Sequence, residues 1–256
     1  MITLLKLGGS LITDKAVTHT ARHDVLARLG REIAAYRENT SAPLIIGHGS
    51  GSFGHVPAKK YGTRKGVRTA EEWAGFAEVH AEAMDLNHIV TDTLRSAGLP
   101  CLSFVPMDEL VPGREGFERL FFAMEQGLIP IVFGDTVFDA EKGGTIYSTE
   151  DLFTRICRMY PGPNRILLAG LETCVWADFP RNTRRIETIG AEENLDCIGA
   201  SAFTDVTGGM AEKVRLMQQM IREGTIAEAR IFSGMTEGTL TKELSGENTG
   251  TLIRGR

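Results

Sequence analysis

Three lysines, one histidine and three glycine-rich turns carry the chemistry this chain could perform. The densest stretch, PLIIGHGSGSFGH over residues 43–55, begins as the apolar run Leu44-Ile45-Ile46. It then breaks into Gly47, Gly49, Gly51 and Gly54, with Ser50 and Ser52 between them and His55 closing the string. Glycines at this density let backbone N–H groups come close to a ligand, because no Cβ blocks the approach. Successive free N–H groups form a concavity suited to an anion, best when they open a helix. The stretch reads as a phosphate-holding loop with His55 as an added donor; standing alone, it could equally be a tight turn into a helix. A second glycine pair, Gly8-Gly9 followed by Ser10, ends the apolar ITLLKL, with Lys6 before it and Lys15 after it. A third, Gly208-Gly209, precedes Lys213. Phosphoryl transfer asks the protein for donors and cations around the transferred group and for in-line positioning, not for covalent help. Glycine amides beside Lys6, Lys15, Lys213 and His55 suit that chemistry. With no Gly-Lys pair there is no Walker-type loop, and the protein-kinase signature set is absent.

Gly49, Gly51 and Gly54 also satisfy G-x-G-x-x-G. A dinucleotide site needs an acid about twenty positions on, at the end of a second strand. Here the chain continues KKYGTRKGVRTAEEW, a basic loop and then a helix start that takes up Glu71 and Glu72, so the ribose acid has no strand to sit on.

The elements that must position these groups follow from periodicity. Two glycine turns, each leaving the carboxyl end of an apolar strand, belong at one edge of a parallel sheet, where open α/β sheets bind ligands. Val25, Leu26, Leu29, Ile33 and Tyr36 recur at helical spacing. Thr69-Ala70-Glu71-Glu72 is a capping box that opens a long helix to about Ala97, closed by Gly98 and Pro100. Trp73, Phe76, Ala83 and Met84 lie along this helix and read as core by default; His80 and His88, two turns apart, read as structural or surface residues. Strands are expected at 101–105, 129–133, 166–169 and 229–232, and helices at 117–126, after Thr149 and from Thr207-Gly208-Gly209. A hairpin turns at AEKGG, and the closing GTLI reads as a last edge strand. The alternation means α/β with a mainly parallel sheet.

Composition narrows the function. The 256 residues are enough for one large domain or two fused lobes. A net charge of -5 argues against a nucleic-acid partner, so an anionic ligand must be held by local cations. The four cysteines, Cys101, Cys157, Cys174 and Cys197, lack C-x-x-C spacing and read as reduced core residues of a cytoplasmic protein with no metal site. No signal peptide and no membrane-spanning run is expected.

The strings KLGGSLITDK, GHGSGSFGH, GDTVFD, DVTGGMAEKV and the terminal GTLI resemble the amino acid kinase superfamily. Within it they most resemble the isopentenyl phosphate kinases, in the same motif order over essentially the whole chain. The resemblance implies a three-layer αβα sandwich, acceptor-binding over about residues 1–160 and nucleotide-binding over about 161–256, and a homodimer. It implies transfer from ATP, with Mg2+ carried on the nucleotide phosphates, to a small phosphate with an apolar tail, giving isopentenyl diphosphate. Lys6, Gly8, Gly9 and Ser10 would contact the nucleotide β- and γ-phosphates, and Lys15 would neutralise the transferring group. Ser50, Gly209 and Lys213 would complete the nucleotide phosphate site. Gly49 and Gly54 would offer amides, and His55 a hydrogen bond, to the acceptor phosphate. Phe76 and Met84 would face the tail. A monophosphate has a second pKa of about 6, so its oxygen is already a nucleophile at neutral pH and no general base is needed.

Two strings depart from the family pattern. Where it has S-G-D, this chain has Ser148-Thr149-Glu150, with Asp151 following. Glu150 is the expected orienter of the lysines, Asp151 the alternative, and Thr149 narrows the space beside the acceptor. Where the nucleotide lobe has T-D-V-D-G-V-Y, this chain reads Gly170-Leu171-Glu172-Thr173-Cys174-Val175-Trp176, so two acids and a glycine are replaced. Kinases of other phosphates or phosphonates, fosfomycin among them, and a non-catalytic nucleotide-binding regulator are the alternatives.

Overall fold

A computed structural model describes residues 1–111, 114–160, 162–194 and 209–255. In chain order the elements are β1 (Thr3–Leu7), α1 (Gly9–Ile12), α2 (His23–Arg37), β2 (Leu44–His48), α3 (His55–Tyr61), a 3-10 turn (Thr63–Lys65) and α4 (Ala70–Ser96). There follow β3 (Cys101–Ser103), α5 (Pro106–Glu109), β4 (Leu110–Val111), β5 (Arg114–Glu115), α6 (Glu118–Glu125), β6 (Ile129–Phe133), β7 (Asp135–Asp139) and β8 (Gly143–Tyr147). The last are α7 (Thr149–Met159), β9 (Asn164–Gly170), β10 (Val175–Trp176), β11 (Arg185–Ile186), β12 (Thr188–Gly190), α8 (Met210–Arg222), β13 (Ile226–Ser233), α9 (Thr239–Leu244) and β14 (Thr251–Arg254).

Eight strands form one sheet in the order β12-β14-β13-β9-β1-β2-β6-β3. From β13 to β3 every neighbouring pair is parallel; β14 runs antiparallel to β13. Side chains alternate between the two faces of a strand, and the cores on either side read that alternation directly. Leu4, Ile45, Val132, Ile166 and Leu168 belong to the core under α6, α7 and α8. Leu5, Ile46, Ile131, Leu167 and Ala169 belong to the core under α1, α2, α4 and α9. Two cores on opposite faces of one sheet make a three-layer αβα sandwich.

The long helix forms as its start signal says. The Thr69 hydroxyl accepts the Glu72 amide and the Glu72 carboxylate accepts the Thr69 amide, satisfying two orphan donors of the first turn. Phe76, Val79, Ala83, Leu86, Val90 and Leu94 then recur on one buried face. The GTLI segment is not an edge: β14 lies between β13 and the short β12, which pairs with it in parallel and takes the edge. Thr207, Gly208 and Cys197 fall outside the described residues, and Gly209 caps α8. Cys101, Cys157 and Cys174 are buried and unbridged, and burial pushes the first two thiols up to about 12. Among the described residues no helix is long and apolar enough to cross a membrane.

Candidate active site

β1 and β2 are parallel neighbours with Leu7 opposite His48, so both glycine turns leave the sheet at the same edge. There they interlock. Gly49 N–H donates to Leu7 O at 3.1 Å and Gly8 N–H to Ala169 O at 2.8 Å. The Thr13 hydroxyl donates to Gly9 O at 2.7 Å and accepts Ser52 N–H at 2.8 Å, stitching one turn to the other. A Cβ on Gly9 would strike the backbone of Gly51, and one on Gly51, whose φ is +55°, would strike Thr13. The glycines are therefore required first by the contact of the two loops with each other, a reason that spacing alone does not reveal. The amides of Gly9, Ser10, Ser50 and Gly51 are left with no acceptor among the described residues.

Those amides open onto a cavity of about 270 Å³. Its lining includes Lys6, Gly8, Gly9, Ser10, Lys15, Gly49, Ser50, His55, Thr149, Glu150, Gly209 and Lys213, drawn from both ends of the chain to one place. The far wall is built from residues 168–172 with Met210 and Ile231. Gly54, Phe76 and Met84 are outside this lining. Gly49 and Gly54 both differ from their expected role: the Gly49 N–H is donated to Leu7 O and the Gly54 N–H to the Glu82 carboxylate, so neither amide is left for an acceptor phosphate here. Phe76 is buried in an aromatic cluster, its ring 5.2 Å from Trp73 and 5.4 Å from Phe138, between α4 and the β7–β8 hairpin. Met84 is half-buried on α4.

The charges meet at Glu150. This carboxylate is 6% exposed and forms an ion pair with Lys6. Burial pushes its pKa up, but the charges of Lys6 and Lys213 and the Lys6 hydrogen bond outweigh it and hold the group below the ordinary carboxylate range. Its other oxygen, Oε1, is buried with no hydrogen-bond partner among the described residues. Asp151, one position on, points elsewhere: it closes the capping box with Ser148 and lies 3.6 Å from Arg64. Helix geometry separates the two acids, since neighbours on a helix do not share a face. Thr149 donates its hydroxyl to His48 O at 2.6 Å and lays its methyl against Gly47.

Several polar groups at this edge have no signal in spacing. His48 is 1% exposed, stacked on Phe133, and burial pulls its pKa down to about 4. His80, expected at the surface or as scaffold, donates to the fully buried Asp135 at 2.8 Å. That hydrogen bond raises the His80 pKa, and burial raises that of Asp135. Glu172, in the altered string, accepts the Trp176 indole N–H at 3.0 Å.

Residues 1–233 match the model of the amino acid kinase family. The chain is 30% identical to the isopentenyl phosphate kinase of Methanocaldococcus jannaschii, over 99% of this chain and 98% of that one. The chain belongs to the amino acid kinase family, among its isopentenyl phosphate kinases. The isopentenyl phosphate kinase of Haloferax volcanii is 33% identical over 99% of both chains. Among solved structures, one described as an isopentenyl phosphate kinase superposes with a TM-score of 0.81 at 28% identity, covering 99% of this chain and all of the other. A product complex of the Thermoplasma acidophilum isopentenyl phosphate kinase has the same TM-score at 21% identity and shares the fold.

Proposed function

We propose that this kinase transfers the γ-phosphoryl group of ATP to isopentenyl phosphate, giving isopentenyl diphosphate for isoprenoid synthesis. One observation carries the reading: a single cavity is lined by the glycine loop with His55, by residues 168–172, by Gly209, Met210 and Lys213, and by the paired Lys6 and Glu150. The donor set fits nucleotide phosphates, because four amides with no acceptor among the described residues and three lysines line the same space. ATP supplies the phosphoryl group and Mg2+ travels on its phosphates. Residues about 1–160 hold the acceptor and about 161–256 the nucleotide.

The difficulty in this reaction is electrostatic, since an anionic nucleophile must approach an anionic phosphoryl group. Lys6, Lys15 and Lys213 reduce that repulsion in a site where charge is poorly screened by water. Glu150 keeps Lys6 aimed into the cavity. His55 donates to the acceptor phosphate and takes no proton from it, the oxygen being ionised already. Ser50 and Gly9 offer amides that need no reorganisation at the moment of transfer. The proposal includes a homodimer working in the cytoplasm, supported by the family resemblance and by buried, unbridged thiols.

ADP release, followed with ATP, Mg2+ and a panel of isopentenyl, dimethylallyl and geranyl phosphates, fosfomycin and glutamate, tests the reading. Preferred turnover of isopentenyl phosphate is expected. Preferred turnover of fosfomycin, or silence with every acceptor, would refute it.

A further inference from the structure

α4 touches the glycine loop at both of its ends through two polar side chains five positions apart, Glu82 and Asn87. At the far end, the Glu82 carboxylate accepts the N–H of Gly54, whose φ of +73° starts α3, and its other oxygen lies 3.0 Å from His19 Nε2. At the near end, Asn87 meets His48 Nε2 at 3.3 Å, and His48 Nδ1 lies 3.2 Å from Gly49 O. Both Glu82 and Asn87 belong to the helix that carries Trp73 and Phe76.

The ring of His48 makes this contact specific. Held neutral by burial, it has one proton for two neighbouring oxygens. As placed, Asn87 Oδ1 faces Nε2; with the amide turned over, Nδ1–H donates to Gly49 O, the Asn87 NH2 faces Nε2, and all groups are satisfied. Ser103 Oγ lies 3.0 Å from Asn87 Nδ2 and 3.3 Å from Oδ1, so it can donate to the amide oxygen in that arrangement, with Thr91 Oγ1 2.9 Å behind it. A trans peptide sets its C=O and the next N–H on opposite sides. Drawing Gly49 O toward His48 therefore turns the Ser50 N–H the other way. That amide has no acceptor among the described residues, and Ser50 lines the cavity.

We propose that Asn87 acting through His48, and Glu82 acting through Gly54, are positioning residues of α4 that clamp the two ends of the phosphate loop and tie its geometry to the helix carrying the aromatic cluster. Asn87 sets the direction of the Ser50 amide, and Glu82 sets the start of α3 and with it His55. The catalytic part of this inference rests on the acceptor reading above; the clamp itself does not.

Four variants test it. Asn87→Leu and Glu82→Leu remove the grips, and each should lower kcat by about 10- to 100-fold, because small misplacements of positioning groups cost that much. Glu82→Gln keeps an oxygen for Gly54 N–H and should restore most of the rate. Asn87→Asp gives a sharper signature. A carboxylate at 87 favours the imidazolium, which donates from both nitrogens, so the loop is held below the raised pKa and released above it. Its kcat should then fall as pH rises through a new ionisation that the wild type lacks, Lys6 of β1 being the charge that opposes the imidazolium. Amide exchange of residues 49–54, read without substrate, should quicken in both Leu variants and not in Glu82→Gln. Wild-type exchange, kcat and pH profile across all variants would overturn the clamp. Faster exchange in an enzyme whose wild type ignores isopentenyl phosphate would overturn the acceptor reading and leave the clamp standing.

Discussion

Replacing Glu150 by Gln keeps the shape of the site and removes the charge that Lys6 and Lys213 share. At contact distance and an effective dielectric of about 20, a unit pair interacts by roughly 5 kcal/mol before desolvation. Removing one partner of a buried pair leaves the other uncompensated and costs about 3–5 kcal/mol. The Lys6 and Glu150 side chains are only 13% and 8% exposed, so solvent relieves little of this. At roughly 2–4 °C per kcal/mol for a chain of this size, the ligand-free variant should melt about 6–20 °C lower. Nucleotide phosphates bring their own negative charge to the two lysines, so saturating ATP should recover much of that loss and bind the variant at least as tightly as wild type. The rate should nonetheless fall by about 100-fold, because Lys6 is no longer held in one direction. Melting curves with and without ATP, together with steady-state kinetics, separate the two effects. A melting temperature unchanged without ligand, or a deficit that persists undiminished with ATP, would refute the assignment of Glu150 as the charge that organises the lysines.

His55→Ala should lower kcat/KM for isopentenyl phosphate by about 100- to 1,000-fold, the range for losing one donor at a developing or transferred charge, with the ATP KM unchanged. His48 binds fewer protons folded than unfolded, since its pKa drops from 6.5 to about 4, so stability rises with pH across that window. The unfolding free energy from urea melts should fall by about 3 kcal/mol on going from pH 7 to 4 through this residue, and His48→Gln should flatten that slope. Phe76→Ala should cost about 3–5 kcal/mol as a core truncation. If the Trp73–Phe76–Phe138 cluster also senses the tail, it should raise the KM for isopentenyl phosphate and leave that for ATP alone; equal acceptor KM values would make the cluster packing only.

The sheet and the site's main parts were legible because their signals are local. A capping box at Thr69, apolar runs ending in glycine pairs, and the AEKGG turn each declare an element within a few residues. What escaped is long-range. Spacing cannot show that Gly9 and Gly51 are glycine because two loops touch, or that Gly54 N–H is claimed by Glu82 from another helix. His80 looked like scaffold on a helix and proved to be paired with Asp135, 55 positions away. GTLI had the pattern of an edge strand, but the three-residue β12 covers it, too short to announce itself. Glu150 was the expected orienter and Asp151 the alternative; the capping box of Ser148 takes Asp151 to the helix start, and Glu150 pairs with Lys6.

The most direct test is 31P NMR of the purified protein incubated with ATP, Mg2+ and isopentenyl phosphate. The monophosphate resonance should give way to the coupled pair of a diphosphate, in step with conversion of ATP to ADP. Release of inorganic phosphate with the monophosphate resonance intact, or no consumption of ATP, would contradict it.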